Sequence, residues 1–362
     1  MKLRKTSLAV LSTILLLNAC KKVEDTTVVL PAEFSLPEGS YILSEGGFNA
    51  NNTKLAFYAK NTSTTTGDVF VQQNPDSTSG LGDLGNDAII YGSKMYIVMS
   101  QSGRVTVLKS SNAKFIKNIS FKTATVNKQP RYAAAARGKV YVTSYDNTVS
   151  VIDTTTLAIT KTITVGANPE GIAVSANFLY VANSGGFNTV PDSTVSLIDL
   201  NTELEVRKIK VGINPYKVEI NAGGNVFVSA YGNYSNIPAS VSFINGALNT
   251  TSMNLGSNFS YSNIRISGDI AYLYNNYGGT GTAKVYNSAL NTIVRNEFIT
   301  DGTIIQTPYG LNVDEQNGDV YIADAKNYTS TGTVTCFGSN GVKKFSFSIS
   351  PGVNPNKILF KR

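Results

Sequence analysis

The chain has 362 residues, with 31 Lys and Arg against 24 Asp and Glu, no His, no Trp, two Cys and 19 Tyr. An apolar content of 42% with 15% charge is a globular balance, and a chain of this length can bury a large core. Without His there is no Ser-His-Asp or Cys-His nucleophile, no His-bearing zinc site and no imidazole acid–base pair; two Cys exclude a disulfide scaffold.

Residues 1–19 read as a secretory signal: a basic start (Lys2, Arg4, Lys5), an apolar run from Leu8 to Leu17 too short to span a bilayer, and a small residue before Cys20. The ending Leu17-Asn18-Ala19-Cys20 resembles the bacterial lipobox, which implies acylation of Cys20 and a lipid anchor. Lys21-Lys22-Val23-Glu24-Asp25 is similar to the export signal that carries many Bacteroidota lipoproteins to the cell surface. The implied location is the outer membrane, with surface exposure expected and the periplasmic face as the alternative. Residues 20–39 are polar, carry Pro31 and Pro37, and read as a tether, which leaves 40–362 as the folded body. Three of the basic residues precede Cys20 and no acidic ones do, so the mature chain carries +4. No basic run with interleaved aromatics occurs, and nucleic acid is not an expected partner.

The body is one unit written repeatedly. Lys139-Val140-Tyr141-Val142-Thr143 and Phe178-Leu179-Tyr180-Val181-Ala182-Asn183 are equivalent runs, as are Thr148 to Asp153 and Thr194 to Asp199. The joint Val165-Gly166-Ala167-Asn168-Pro169 returns as Val211-Gly212-Ile213-Asn214-Pro215 and as Gly352-Val353-Asn354-Pro355. Taking the Pro as phase marker, the equivalents are Gly85, Pro130, Pro169, Pro215, Tyr261, Pro308 and Pro355, at spacings of 45, 39, 46, 46, 47 and 47 residues. Each unit holds four runs rich in Val, Ile, Tyr and Thr, punctuated by Gly, Asn, Asp and Ser, which predicts four antiparallel strands. A repeat of this length with four strands is a propeller blade. Asn354 to Phe360 is a first strand with almost nothing after it, and Tyr41 to Asn49 a second strand with nothing before it. The expected fold is therefore all-β: a seven-bladed β-propeller of four-stranded blades, closed by the C-terminal strand joining the N-terminal blade.

In such a ring the first strand of each blade lines the channel, and the joint entering it shares one face with the loop between second and third strands. The joints are Asn86-Asp87, Arg131-Tyr132, Glu170-Gly171, Tyr216-Lys217, Tyr261-Ser262-Asn263, Tyr309-Gly310 and Asn356-Lys357. The loops are short in blades two and three and long in the others, so the face is expected to be walled on one side. Nine tyrosines fall on these segments: Tyr132, Tyr145, Tyr216, Tyr231, Tyr234, Tyr261, Tyr277, Tyr309 and Tyr328. Tyr offers contact area at low entropic cost with a polar tip, and Asn and Ser adapt their hydrogen bonds, so the face has a recognition composition. The expected ligand-binding residues are Arg131, Tyr132, Tyr145, Glu170, Phe187, Tyr216, Tyr231, Tyr234, Asn263, Tyr277, Tyr309, Asn327 and Tyr328. The same residues admit another reading, in which the tyrosines plug the channel and Arg131, Glu170 and Lys217 form an internal ion network.

The Tyr-Val-Thr/Ala-Asn second strand and the Asn-Pro joint resemble the YVTN, or YncE-like, seven-bladed propellers, with a DUF5074-type repeat pattern. An acylated propeller of this kind is similar to the surface vitamin B12-capture (BtuG-type) lipoproteins of Bacteroidota. That resemblance implies a cobamide ligand and hand-off to a TonB-dependent outer-membrane transporter. On this reading Tyr216, Tyr231, Tyr234, Tyr277 and Tyr309 grip the corrin, and Asn263 and Asn327 meet its amides. A glycan- or protein-binding accessory in an outer-membrane complex is the alternative. Catalysis is not expected: Glu45, Asp146, Glu170 and Asp324 could serve glycosidic chemistry, but they sit in different blades and rank below binding. No cofactor and no metal site is implied, and Cys336 reads as a buried inert thiol.

Overall fold

The four runs of each unit form one four-stranded antiparallel sheet, and seven such sheets take up all 28 strands of the computed structural model, which describes residues 34–275 and 283–362. The inner strands are Pro355–Lys361 in blade I, Gly85–Tyr91 in II, Pro130–Ala136 in III and Pro169–Ser175 in IV. Pro215–Ile220, Asn263–Ser267 and Pro308–Asp314 serve blades V, VI and VII. Each inner strand touches the inner strands of both neighbouring blades, and the circuit closes from VII through I to II. Ser35–Arg362 is one compact unit. The expected signal segment, Cys20 and most of the tether lie outside the described residues. Among the described residues no helix is long and apolar enough to cross a membrane.

Closure is as the sequence predicts. The C-terminal strand pairs antiparallel with Gly39–Ser44, Tyr41 opposite Leu359 and Ile42 opposite Ile358, so blade I is built from both ends of the chain. That pairing hides two edges that would otherwise present unpaired backbone groups.

The core is divided into seven apolar layers, one between each pair of adjacent blades. Leu43, Phe57, Ile97 and Met99 fill the layer between I and II, for example, and Ile42, Tyr58, Ala323 and Val334 the layer between VII and I. Second and third strands are therefore buried on both faces and read as nearly continuous apolar runs, as in Phe178–Asn183. Outer strands such as Ala158–Thr164 are largely exposed. The recurrent Ile-Asp at the end of third strands caps the following turn: Asp153 Oδ1 accepts from the Thr155 and Thr156 amides, and Asp199 Oδ1 from those of Asn201 and Thr202.

Where the inner strands of blades IV and V meet at Gly171, only glycine fits. A Cβ on Gly171 would lie 2.4 Å from the Tyr216 carbonyl oxygen and 2.9 Å from the Val218 amide nitrogen, both backbone atoms of the next blade. Gly171→Ala is expected to cost about 1–3 kcal/mol, read as a lower urea midpoint at unchanged slope; an unchanged midpoint would mean that the blades are less tightly drawn together.

Cys336 lies in the third strand of blade VII, fully buried, and burial pushes its thiol up to about 12. In a chain beginning at Lys21 it should stay unreactive toward aromatic disulfide reagents until the protein unfolds; rapid reaction of the native protein would contradict that packing.

Candidate functional site

The joint that opens each inner strand builds the site. Asn168, Asn214 and Asn354 occupy the left-handed region, at φ of 43°, 58° and 55°, which Asn tolerates better than other side-chain-bearing residues, and the following Pro starts the strand. Leu84 and Gln129 hold the same conformation in blades II and III. The carbonyl of each left-handed residue accepts the amide of the residue just after the second strand. Asn354 thus binds Glu45, Leu84 binds Ser100, Gln129 binds Tyr145, Asn168 binds Ser184 and Asn214 binds Tyr231. This repeated bond ties each second-to-third loop to its joint and brings Glu45, Tyr145 and Tyr231 toward the axis.

A β-bulge follows at once. In six of the seven inner strands the register shifts just inside the joint, at Asn86, Arg131-Tyr132, Glu170-Gly171, Tyr216, Tyr309 and Asn356. A bulge re-aims side chains at the end of a strand, so adjacent joint residues can both line the channel. The exception is blade VI, where Tyr261 replaces Pro and the pairing of Asn263 with Tyr274 is regular.

The result is a cavity of about 840 Å³ at this end of the channel. Its wall includes Arg131, Tyr132, Glu170, Tyr216, Tyr231, Tyr234, Asn263 and Tyr309, eight of the thirteen expected residues. An aromatic run climbs one side: the Tyr132 hydroxyl donates to that of Tyr216 at 2.6 Å, Tyr216 packs on Tyr231 at 4.7 Å between centroids, and Tyr231 on Tyr234 at 5.7 Å. Tyr234 is 76% exposed and ends the run at the rim. Opposite, the Tyr309 hydroxyl donates to Glu45 Oε2 at 2.5 Å. Burial pushes the Glu45 carboxyl up, against the contrary pull of the Tyr309 bond and the Arg131 and Lys217 charges.

Of the other expected residues, Tyr145 donates to Glu170 Oε1 behind the wall, Phe187 meets the Tyr145 ring edge-on at 5.0 Å, and Tyr328 meets Tyr309 at 5.9 Å. These three support the wall without lining it. Asn327 is turned away: it is exposed, and its Oδ1 accepts from the Thr329 and Ser330 amides, so it caps its own turn. Tyr277 lies outside the described residues. Tyr261 packs on the apolar layer between blades V and VI.

The ion network is present as well. Arg131 makes a two-pronged pair with Glu170, Nε to Oε2 at 3.0 Å and Nη2 to Oε1 at 3.3 Å. Lys357 pairs with Asp87 at 2.7 Å and Arg265 with Glu219 at 3.0 Å. Glu219, Arg265 and Lys357 also line a smaller cavity of about 400 Å³ reached from the opposite hairpins, so they form the neck of the channel. Asn86 and Asn356 stitch the ring: Asn86 Nδ2 donates to the Arg131 carbonyl, and Asn356 Nδ2 to those of Gly85 and Asn86. Asn356 Oδ1 is buried without a hydrogen-bond partner. Of the three charges expected to form an internal network, Arg131 and Glu170 pair with each other while Lys217 joins no ion pair among the described residues, and the tyrosines leave the chamber open rather than plugging it. Sequence reading named Asn86, Asp87, Lys217, Asn356 and Lys357 as joints but not as wall. Glu219 and Arg265 it missed; ionic side chains inside an inner strand were the available signal.

The remaining carboxylates considered for catalysis, Asp146 and Asp324, do not line the chamber. Asp146 pairs with Lys128 at 3.1 Å, and Asp324 accepts from the Gln306, Thr307 and Lys326 amides.

Residues 38–357 match the family model described as a domain of unknown function, DUF5074. The chain belongs to the DUF5074 family. No curated protein matches it significantly. Among solved structures, this DUF5074 propeller is similar to a quinonprotein alcohol dehydrogenase-like protein of Bacteroides thetaiotaomicron VPI-5482. There the TM-score is 0.63 at 15% identity, over 91% of this chain and 79% of that one. It is also similar to the hydrazine synthase of Kuenenia stuttgartiensis, with a TM-score of 0.54 at 21% identity over 67% of this chain and 73% of that one. At these identities the likeness is one of fold, and fold alone does not give function.

Proposed function

We propose that the protein captures a bulky organic ligand in the chamber at the joint face of its ring, and that the ligand is a cobamide. The observation that carries this reading is the open chamber of about 840 Å³ with its continuous aromatic run from Tyr132 to the exposed ring of Tyr234. Its volume lies in the range of ligand pockets, and it combines aromatic and aliphatic wall (Ile89, Ile90, Ile264, Leu311) with convergent polar groups. A corrin offers a broad apolar plane to such rings and a rim of amides to Asn263, Asn356 and the tyrosine hydroxyls. The chain contains no His to ligate cobalt, so the ligand would be gripped by its periphery. In the same reading the protein is anchored to the outer membrane through Cys20, faces the outside, and passes its ligand to a TonB-dependent transporter.

Isothermal calorimetry with cyanocobalamin, beside a panel of neutral oligosaccharides, tests this. Heat and a raised melting temperature at micromolar cyanocobalamin, both reduced by Tyr216→Ala, are expected. Silence with cyanocobalamin and a response to a glycan would replace the cobamide with a sugar; silence throughout would end the capture reading.

A further inference from the structure

Among the described residues, four carboxylates and four basic side chains line the chamber: Glu45, Asp87, Glu170 and Glu219 against Arg131, Lys217, Arg265 and Lys357. Six of them are spent on each other in the three pairs described above. Glu45 accepts the Tyr309 hydroxyl and is pushed toward its neutral form by burial. Among the described residues, Lys217 alone of the eight has neither an ion pair nor a hydrogen bond to its ammonium. Its Nζ stands 3.9 Å from the centroid of Tyr132 and 4.8 Å from that of Tyr216, at the foot of the aromatic run. Ring faces attract a cation but leave its N–H donors unused. A half-buried cation whose donors meet no acceptor among the described residues, beside apolar wall and with every nearby carboxylate engaged elsewhere, is suited to one more anion.

We propose that Lys217 is the seat for an anionic group of the captured ligand, so that the chamber selects an organic molecule carrying a phosphodiester or a carboxylate against its aromatic wall. The inference rests on the capture reading and narrows it. For a cobamide, the group is the phosphodiester joining the corrin side chain to the lower nucleotide.

The surroundings set the pH response. Glu170 faces Lys217 from the inner strand of blade IV, Arg265 from that of blade VI, and Glu219 from its own strand. Tyr132 and Tyr216 lie against its ammonium, and Glu45, Asp87, Arg131, Tyr234, Tyr274, Tyr309 and Lys357 also line the chamber. Tyr231 follows the second strand of blade V, and Tyr180 in blade IV is bonded to Asn249 instead. Burial lowers the Lys217 ammonium to about 8, with Lys357 adding to the effect and Asp87, Glu219 and Glu170 opposing it. An anion needs the protonated form, so affinity should be level below that value and fall above it, by up to about tenfold per pH unit.

Two measurements decide. The first needs no cognate ligand: NMR of 13C-labelled lysine follows the Lys217 ε-methylene, assigned by its loss in Lys217→Arg, against pH in chloride and, at equal ionic strength, in dimethyl phosphate or in acetate. The midpoint near 8 should move upward in at least one of the two, and the one that moves it identifies phosphodiester or carboxylate. The second follows cyanocobalamin affinity from about pH 6 to pH 10. Wild type should weaken above about pH 8, Lys217→Arg should stay level, and Lys217→Met should bind about ten- to a hundredfold more weakly at neutral pH. A midpoint unmoved by either anion overturns the seat. So does a Lys217→Met variant that melts as a folded protein and binds like wild type, while leaving cobamide capture intact. A midpoint that moves in a protein indifferent to cyanocobalamin removes the cobamide and keeps the seat.

Discussion

A chain ending at Gly352 is expected to lose cooperative unfolding. The missing segment contains the inner strand of blade I, whose Ile358 and Leu359 are buried at 1% and 9% exposure. Burying two such side chains contributes about 3–6 kcal/mol, a large part of the about 5–15 kcal/mol that holds an ordinary domain together. The truncation also exposes the edge of Gly39–Ser44 and unties blade II by removing the Lys357–Asp87 pair and the Asn356 bonds to Gly85 and Asn86. Far-UV circular dichroism on heating should show a broad transition at much lower temperature. Adding back a peptide covering residues 353–362 should restore part of the stability. A truncated chain that melts sharply at the wild-type temperature would mean that the ring does not depend on its closing strand.

Arg131→Met is expected to destabilise the protein by about 3–5 kcal/mol at neutral pH. The Arg131 and Glu170 side chains are 17% and 8% exposed, and Tyr145 also donates to the same carboxylate. Burial works against the Arg131 charge, but the Glu170 carboxylate beside it outweighs burial and holds the guanidinium above its usual range. Removing the cation leaves a carboxylate in the chamber wall with one neutral partner. The cost should be largely recovered in Arg131→Met with Glu170→Met, because an apolar pair of similar volume has no charge to desolvate. Urea unfolding of the two single variants and the double variant gives the coupling directly. A loss below about 1 kcal/mol for Arg131→Met would place the pair with solvent-screened surface bridges.

The ring was legible because each blade repeats the same local rules. Asn168-Pro169, Asn214-Pro215 and Asn354-Pro355 mark left-handed joints, and the orphan runs at the two ends could only complete each other. Joint residues such as Arg131, Tyr216 and Tyr309 were legible as chamber lining for the same reason, since one loop-to-joint hydrogen bond recurs around the ring. Which charges pair was not. Arg131 and Glu170 are neighbours only across a blade boundary, and Asp87 meets Lys357 only because the ring closes on itself. Asn327 misled because an Asn beside a joint can equally cap its own turn, and the amides of Thr329 and Ser330 claim it. Lys217 became distinctive only when every other charge in the chamber had found its partner.

Hydrogen–deuterium exchange with and without cyanocobalamin reads the location of binding most directly. The account predicts added protection at the joints around Arg131-Tyr132, Tyr216-Lys217 and Tyr309, and in the loop carrying Tyr231 and Tyr234, with the opposite hairpins such as 221–225 unchanged. Protection confined to those hairpins or to the outer strands, with the joints untouched, would contradict it.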